Sequence, residues 1–372
     1  MCSKPKIAHI ITGLNVGGAE RALHTLLVGG LNNKFDNYVI SLMDEGYYGP
    51  ILSKAGIKVI CLGMDSGRPS LSGMRRLREA MRANPPDILQ GWMYHGNLAA
   101  IFARFFAPGL VKVVWNIRTS IDDYLDLSFS RRGIIRMGSL FSKRSDAIVF
   151  NSSRAMKQHL EIGYLTDLML TIPNGFDTEV WMPSAHIKNK IRKDLDFESK
   201  DLIIGFIGRD DSQKDSKNFF SAIEKVLRAN INAKIIVIGA GLQNAASHKA
   251  ILKQVIFLGH CDKVSEFMPA FDILCLSSSV EGFPNVIGEA MACGVPCVTT
   301  DVGDAAKIVG DTGWVVPPRD NKALSLALLE ALSVTQEDRD TRGKAARVNI
   351  VSKYSLASGL DKYARMYTTL LF

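Results

Sequence analysis

Apolar residues in this chain gather in short, β-branched runs separated by longer stretches in which apolar positions recur every three or four residues. The runs at residues 6–12, 38–43, 58–62, 88–90, 111–116, 147–151 and 169–172 predict strands buried on both faces. Between them, residues 19–30, 71–82 and 153–162 carry helical spacing. This alternation predicts a doubly wound parallel α/β sheet. A polar, Lys-rich stretch at 184–200 interrupts it, and the pattern then restarts at 202–207, 234–239, 255–258, 273–276, 297–300 and 314–316. The expectation is two Rossmann-like domains facing across a cleft, with the boundary in the polar stretch or at the turn Pro173-Asn-Gly-Phe-Asp177 just before it. Ligands of such sheets bind beyond the strand C-termini.

The chain has 372 residues, 47% hydrophobic and 22% charged, which fits two cores rather than one and excludes a disordered chain. Its apolar stretches at 22–33 and 290–300 fall short of the roughly 20 residues that span a bilayer. The N-terminus runs directly into a strand and lacks the cleavage-site pattern of a signal peptide. Six cysteines are dispersed, and the close pair Cys293 and Cys297 has no histidine cluster nearby, so zinc is not expected. Cysteines set in apolar runs point to a reducing, cytoplasmic location. Neither Gly13-Leu-Asn-Val-Gly-Gly-Ala19 nor Gly239-Ala-Gly241 has the GxGxxG spacing, which counts against a nicotinamide or flavin enzyme.

The densest chemical signal is Glu281-Gly-Phe-Pro-Asn-Val-Ile-Gly-Glu289, after a strand and the turn Ser277-Ser-Ser279. Pro284 suits the first position of a helix. The free amides of Asn285 and Val286 would then face an anion, with Glu281 before the helix end and Glu289 about one and a half turns inside it. The bland alternative is a capping carboxylate at Glu281 and an exposed helical Glu289. Upstream, Arg209 and Lys214 follow a strand ending at Gly208 and supply a planar fork and a mobile point charge, a pairing suited to pyrophosphate. In the N-terminal half, Gly17 and Gly18 follow the first strand and let backbone amides approach a phosphate or a sugar.

These motifs resemble the family-4 retaining glycosyltransferases of the GT-B fold, and the resemblance runs over nearly the whole chain. It rests on the Glu–seven residues–Glu element, on Gly208-Arg209 with Lys214, on the glycine loop at Gly17 and Gly18, on Asn151-Ser-Ser-Arg154 and on Pro173-Asn-Gly-Phe-Asp177. It implies an N-terminal acceptor-side domain at 1–180, completed by a C-terminal helix at 356–372, and a nucleotide-sugar-binding domain at 181–355. The implied reaction moves a sugar from a nucleotide-diphosphate donor, by family default a UDP-sugar, to a saccharide or lipid-linked saccharide in cell-surface glycan synthesis. The anomeric configuration would be retained, with no metal and no cofactor. Arg209 and Lys214 would grip the diphosphate, Glu281 the donor sugar and Glu289 the ribose. Gly17, Gly18, Gly259, Phe283, Pro284, Asn285 and Val286 would complete the donor site. A sugar-nucleotide epimerase, a phosphorylase and a non-catalytic nucleotide-sugar-binding subunit are the rival readings. The last would be expected to have lost Glu281, Arg209 or Lys214, and a phosphorylase would need a pyridoxal lysine, which is not identifiable.

Two further points stay open on sequence. Many family members carry a histidine where this chain has Arg118. Arg118 either replaces it near the donor sugar or caps a strand end, and His95, in Gly91-Trp-Met-Tyr-His-Gly96, is the second candidate for that place. The net charge of +8 is concentrated, with Arg131, Arg132, Arg136, Lys143 and Arg144 interleaved with apolar residues in an acid-free run from Phe129 to Ser145. A second cluster holds Arg68, Arg75, Arg76, Arg78 and Arg82. Both are either solvated helix faces or a surface for anionic lipid on the inner face of the membrane. No nucleic-acid-binding motif accompanies the charge, so nucleic acid is not an expected partner.

Overall fold

In a computed structural model of the chain, β1 (Lys6–Ile11) is buried at every residue after its first and pairs in parallel with two neighbours. Residues 4–65, 69–122, 124–229, 232–245 and 254–372 are described, and Cys2, Arg68, Asp123 and His248 lie outside them. The chain forms two units, Met1–Asn174 with Leu356–Phe372, and Gly175–Ser355.

The first unit adds β2 (Asp36–Ser41), β3 (Lys58–Cys61), β4 (Ile88–Trp92), β5 (Lys112–Ile117), β6 (Ala147–Phe150) and β7 (Met169–Thr171). These make a seven-stranded parallel sheet in the order β3-β2-β1-β4-β5-β6-β7. One face packs Leu77, Met81, Leu98, Ile101 and Trp115. The other packs Leu23, Leu27, Val39 and Trp92 together with Tyr363 and Tyr367 of the last helix, Leu356–Leu371. The helix predicted from residue 19 starts at Gly18 and runs to Leu26, and a π-helical turn, Leu27–Leu31, follows it with Gly30 at φ 128°. The basic run is the helix Phe129–Ser142, capped by Ser128, whose hydroxyl accepts from Arg131 N.

The second unit holds β8 (Leu202–Ile207), β9 (Ala233–Ile238), β10 (Val255–Gly259), β11 (Ile273–Leu276), β12 (Cys297–Thr300) and β13 (Trp314–Val316), in the parallel order β10-β9-β8-β11-β12-β13. The polar stretch after residue 184 is not a linker in this unit. It forms the helix Ala185–Asp194, fastened by Lys188 and Arg192 to the buried carboxylate of Asp272 at 2.9 and 2.6 Å. In each sheet the strand order reverses at one point, between β1 and β4 in the first unit and between β8 and β11 in the second. Connections leaving those two strands in opposite directions open a crevice at their C-terminal ends. Gly17 and His95 follow β1 and β4, while Arg209 and Glu281 follow β8 and β11.

Candidate functional site

Two loops meet at the switch point of the second unit, and side chains sew them together. Ser277 Oγ donates to the carbonyls of Lys214 and Asp215 at 2.9 and 3.1 Å, and Ser279 N donates to Gln213 O at 2.7 Å. Thr300 Oγ1, from β12, donates to Ser278 O at 2.6 Å. On this frame Lys214 Nζ lies 2.5 Å from Glu281 Oε1, and Ser278 Oγ donates to the same oxygen at 2.8 Å. The serine run read from sequence as a plain turn therefore positions both the loop and the carboxylate. Its signal was visible: three consecutive hydroxyls between a buried strand and a glutamate.

Arg209 reaches outward, 71% exposed, with its Nε 3.8 Å from Asp211 Oδ2. A long, weak contact of this kind leaves the guanidinium available to an anion. Behind it, Gly239 stands at φ 145°, where a Cβ would lie 1.6 Å from Gly208 O. Only glycine permits that approach, so β8 and β9 end flush behind the Arg209 loop. Gly259 closes β10 at φ 66° and accepts from Gly239 N at 2.7 Å.

The helix after Glu281 spans Asn285–Ala292. Pro284 is the residue before the helix rather than its first member. Its ψ of 94° is still extended, and Ile287 N donates to Pro284 O at 3.2 Å. The side chains of Phe283, Pro284 and Val286 are buried, and Phe283 packs on Phe176 and Tyr354 at ring separations of 6.1 and 5.9 Å. Those three expected donor-site residues therefore turn their side chains into the core, and what they offer a ligand is backbone. Asn285 is half-buried at the first helical position. Glu289 is 5% exposed, which removes the exposed-helix reading of that carboxylate.

In the first unit, Gly17 precedes the helix in extended conformation, and a Cβ there would lie 2.2 Å from Glu20 Oε2, whereas Gly18 faces open space. A carboxylate folded over this turn disfavours a phosphate and favours a ligand bearing hydroxyls. His95 is exposed near the start of the helix Met93–Arg104, directly after β4. Met93 there has φ 60°, and Gly96 sits so close to β1 that a Cβ would lie 2.4 Å from Ile10 O. Desolvation lowers the His95 pKa and favours its neutral imidazole.

Arg118 is a strut. Its guanidinium donates to Asn116 Oδ1 at 3.2 Å, to Tyr363 OH at 3.4 Å and to Asn174 Oδ1, and it lies 5.4 Å from the Trp92 ring centroid. Trp92 in turn donates to the buried His9. Three polar partners and an aromatic face hold this cation in place, so the geometry favours the strand-end reading and makes it a positioning residue.

The carboxylates of Asp122 and Asp210 are likewise engaged. Asp122 accepts from Arg154 at 2.6 Å, Gln158 at 2.8 Å and Ser120 at 2.6 Å, and Asp210 accepts from Ser216 at 2.9 Å. Cys275, Cys293 and Cys297 are buried and their thiol pKa values are raised by desolvation, that of Cys293 to about 12. Such thiols are poor nucleophiles.

The chain has clear relatives. The profile of Glycosyltransferase Family 4 matches residues 16–180, and that of Glycosyl transferases group 1 matches 187–348. It is 24% identical over 317 residues to a putative glycosyltransferase, EpsF, of Bacillus subtilis, covering 80% of each chain. It is 24% identical over 375 residues to a Campylobacter jejuni protein, N-acetylgalactosamine-N,N'-diacetylbacillosaminyl-diphospho-undecaprenol 4-alpha-N-acetylgalactosaminyltransferase, covering 96% of this chain and 99% of that one. The crystal structure of Anabaena Alr3699/HepE in complex with UDP superposes with a TM-score of 0.85 at 20% identity, covering 98% of this chain and all of that one.

Proposed function

The chain belongs to the family-4 glycosyltransferases of the GT-B fold, and from that premise we propose that it moves a sugar from UDP to a saccharide or lipid-linked saccharide acceptor with retention at the anomeric carbon. The observation that carries this reading is the constellation at the switch point of the second unit. Lys214 and Ser278 both lie within hydrogen-bond reach of Glu281 Oε1, with Arg209 exposed on the loop leaving β8 and the helix Asn285–Ala292 opening after Glu281. The structure of a UDP complex in a chain of the same fold, and a relative named for a diphospho-undecaprenol acceptor, support the nucleotide and the acceptor class.

A nucleoside diphosphate is a good leaving group, so the catalyst's main task is to stabilise charge as the glycosidic bond breaks. Arg209 and Lys214 place one fork and one point charge on the departing phosphates. The amides of Asn285 and Val286 add donors that need no reorganisation. Glu281 accepts hydroxyls of the transferring sugar, and Glu289 holds the ribose. His95, favoured in its neutral form, contributes a hydrogen bond to the sugar, and the open backbone at Gly18 contacts hydroxyls. Attack on the same face that the diphosphate leaves gives retention, and the charges named here serve without a metal or an organic cofactor.

The deciding experiment titrates UDP, GDP and ADP into the protein and then follows the matching nucleotide-sugars by NMR with and without lipid-linked saccharides. UDP binding, acceptor-dependent UDP release and an axial product anomer from an axial donor are expected. UDP-sugar turnover into an epimeric sugar with no acceptor would replace this reading with an epimerase. Binding without turnover across the acceptor panel would leave a nucleotide-sugar-binding subunit.

A further inference from the structure

Past the ends of β1 and β2 the two connections stay bonded to each other. Leu42 N donates to Ile11 O at 2.9 Å, Met43 N to Thr12 O at 3.0 Å and Tyr48 N to Leu14 O at 2.8 Å. Ser41 Oγ donates to Asp44 O at 2.6 Å. Gly46 lies at φ 48°, and a Cβ there would stand 2.5 Å from the carbonyl carbon of Leu14, so only glycine lets the chain pass. Residues 42–48 are therefore a fixed ledge beside the turn that leads to Gly17 and Gly18. The ledge lies at the C-terminal edge of the sheet, the edge at which such sheets bind ligands.

This ledge carries two tyrosines in different settings. Tyr48 is 9% exposed, set between the rings of His24 at 5.4 Å and Tyr47 at 5.1 Å. Its hydroxyl makes no hydrogen bond among the described residues, although Arg21 and Glu20 lie near enough to act on its charge. Burial raises the Tyr48 pKa, which keeps the phenol protonated and able both to donate and to accept. Tyr47 meets Tyr48 edge to face at 88° and is 52% exposed, so its ring is held by its neighbour yet open to solvent. Val16, on the adjoining turn, is 59% exposed.

Charge narrows what this surface accepts. Residues 12–24 and 42–48 carry Glu20, Asp44 and Glu45 against Arg21 alone. Asp44 and Glu45 are exposed, and both act on the Cys61 thiol at the end of β3, which places them on the same edge of the sheet. An excess of carboxylate repels phosphate and uronate groups and offers acceptors to hydroxyls. A nucleotide would also stack on Tyr47, but its phosphates would meet these carboxylates. An uncharged pyranose satisfies every part of the ledge, its C–H face on the aromatic ring and its hydroxyls on the phenol and the carboxylates. We infer that Tyr47, Tyr48, Asp44 and Glu45 form a subsite for an uncharged sugar ring of the acceptor and reject acceptor sugars that carry a carboxylate or a phosphate. The acceptor role rests on the transferase reading above, whereas the sugar recognition rests on this ledge alone. The phosphates of a lipid-linked acceptor then lie away from it.

The test is saturation-transfer NMR of the whole chain, without nucleotide, against the methyl α-glycosides of N-acetylglucosamine, galactose, mannose and glucuronic acid. Saturation of at least one neutral glycoside and none of the glucuronide is expected. Tyr47→Ala should weaken the neutral glycoside about three- to tenfold, and Tyr47→Phe should keep it, because the ring makes the contact. Asp44→Asn with Glu45→Gln should admit the glucuronide. UDP affinity and the thermal midpoint should stay at wild-type values in Tyr47→Ala, and with an active acceptor its acceptor KM should rise while the donor KM does not. No saturation of any neutral glycoside, equal saturation of the glucuronide, or undiminished binding by Tyr47→Ala would each overturn the proposal. A fall in UDP affinity or midpoint in Tyr47→Ala would overturn it as well, by making the ring a structural part. The glycoside readouts need no turnover. A protein that binds UDP and glycoside but transfers nothing would therefore end the transferase reading and leave the subsite standing.

Discussion

Lys214 Nζ and Glu281 Oε1 lie 2.5 Å apart, with only 23% and 15% of their side chains exposed. A diphosphate competes with Glu281 for the ammonium, so Glu281→Gln should do two opposite things. It should tighten UDP binding, by about three- to tenfold, because a carboxylate beside the phosphates is gone and Lys214 is released to them. It should also lower kcat, because the transferring sugar loses its acceptor. Titration calorimetry and initial rates on one preparation separate the two, and weaker UDP binding would show that the pair is not in competition with the nucleotide. Arg209→Ala removes a cation with little to lose inside the protein, and should weaken UDP by about 1.5–3 kcal/mol, tenfold or more, with no change in thermal stability. Glu289→Gln should raise the donor KM with kcat less affected, since ribose contacts bind ground and transition states alike.

At the scale of the element, the ends of strands decide where chemistry can sit. Gly239 lets β9 finish against Gly208 O, and the Arg209 loop rests on that contact. Gly239→Ala adds a methyl group that cannot fit and a backbone angle that alanine resists. It should cost about 3 kcal/mol or more in urea unfolding and abolish UDP binding, even though the residue touches no ligand. Retained UDP affinity in the alanine variant would mean that the loop does not depend on this floor. On β1, Trp92 Nε1 donates to His9 Nδ1 at 3.2 Å, and His9 Nε2 lies 3.0 Å from Asn37 Oδ1. These contacts select the tautomer protonated at Nε2. A second proton would have to sit between Nδ1 and the indole N–H. Burial accordingly lowers the His9 pKa from 6.5 to about 4. The unfolded chain binds that proton at the higher pH, so stability falls as pH drops from about 6.5 to about 4, by about 3 kcal/mol for this residue. Thermal melts across that range should show the loss, and His9→Gln should roughly halve it, since burial lowers the pKa of His159 to about 4 as well. An equally steep profile in the variant would assign the acid sensitivity elsewhere.

Across the whole molecule, the first unit is closed by residues that lie at the far end of the chain. Tyr363 and Tyr367 are buried in its core, and Tyr367 OH donates to Gln90 Oε1 on β4. Tyr367→Ala should destabilise this unit by about 3–5 kcal/mol, and Tyr367→Phe by about 1–3 kcal/mol through the unpaired Gln90 amide, both read by equilibrium unfolding. An unchanged midpoint for Tyr367→Ala would mean that the last helix is not part of the cooperative core. The thirteen strands among the described residues were legible in the sequence, within two residues at their ends, because inner strands of a parallel sheet are buried on both faces and read as continuous apolar runs, and even the part-exposed edge strands keep short β-branched or apolar runs. The grouping of Lys214, Glu281 and the helix after it was legible for a related reason: the segments that carry them follow directly on two neighbouring strands. Three features were not. The sequence leaves Arg118 open between the donor sugar and a strand end, and the fold makes it a strut, because Asn174 and Tyr363 come to it from 56 and 245 residues away. Phe283 is expected in the donor site and its side chain is a core residue, because Phe176 and Tyr354 pack on it. Helical spacing marked the basic segment as amphipathic but did not say which stripe stays uncovered. Tyr164, packed against Gly138, settles that by claiming the small-residue side and leaving Phe129, Arg136 and Leu140 outside. Local pattern determines which elements form; which of their faces are buried depends on partners distant in the chain, whose packing no local pattern encodes.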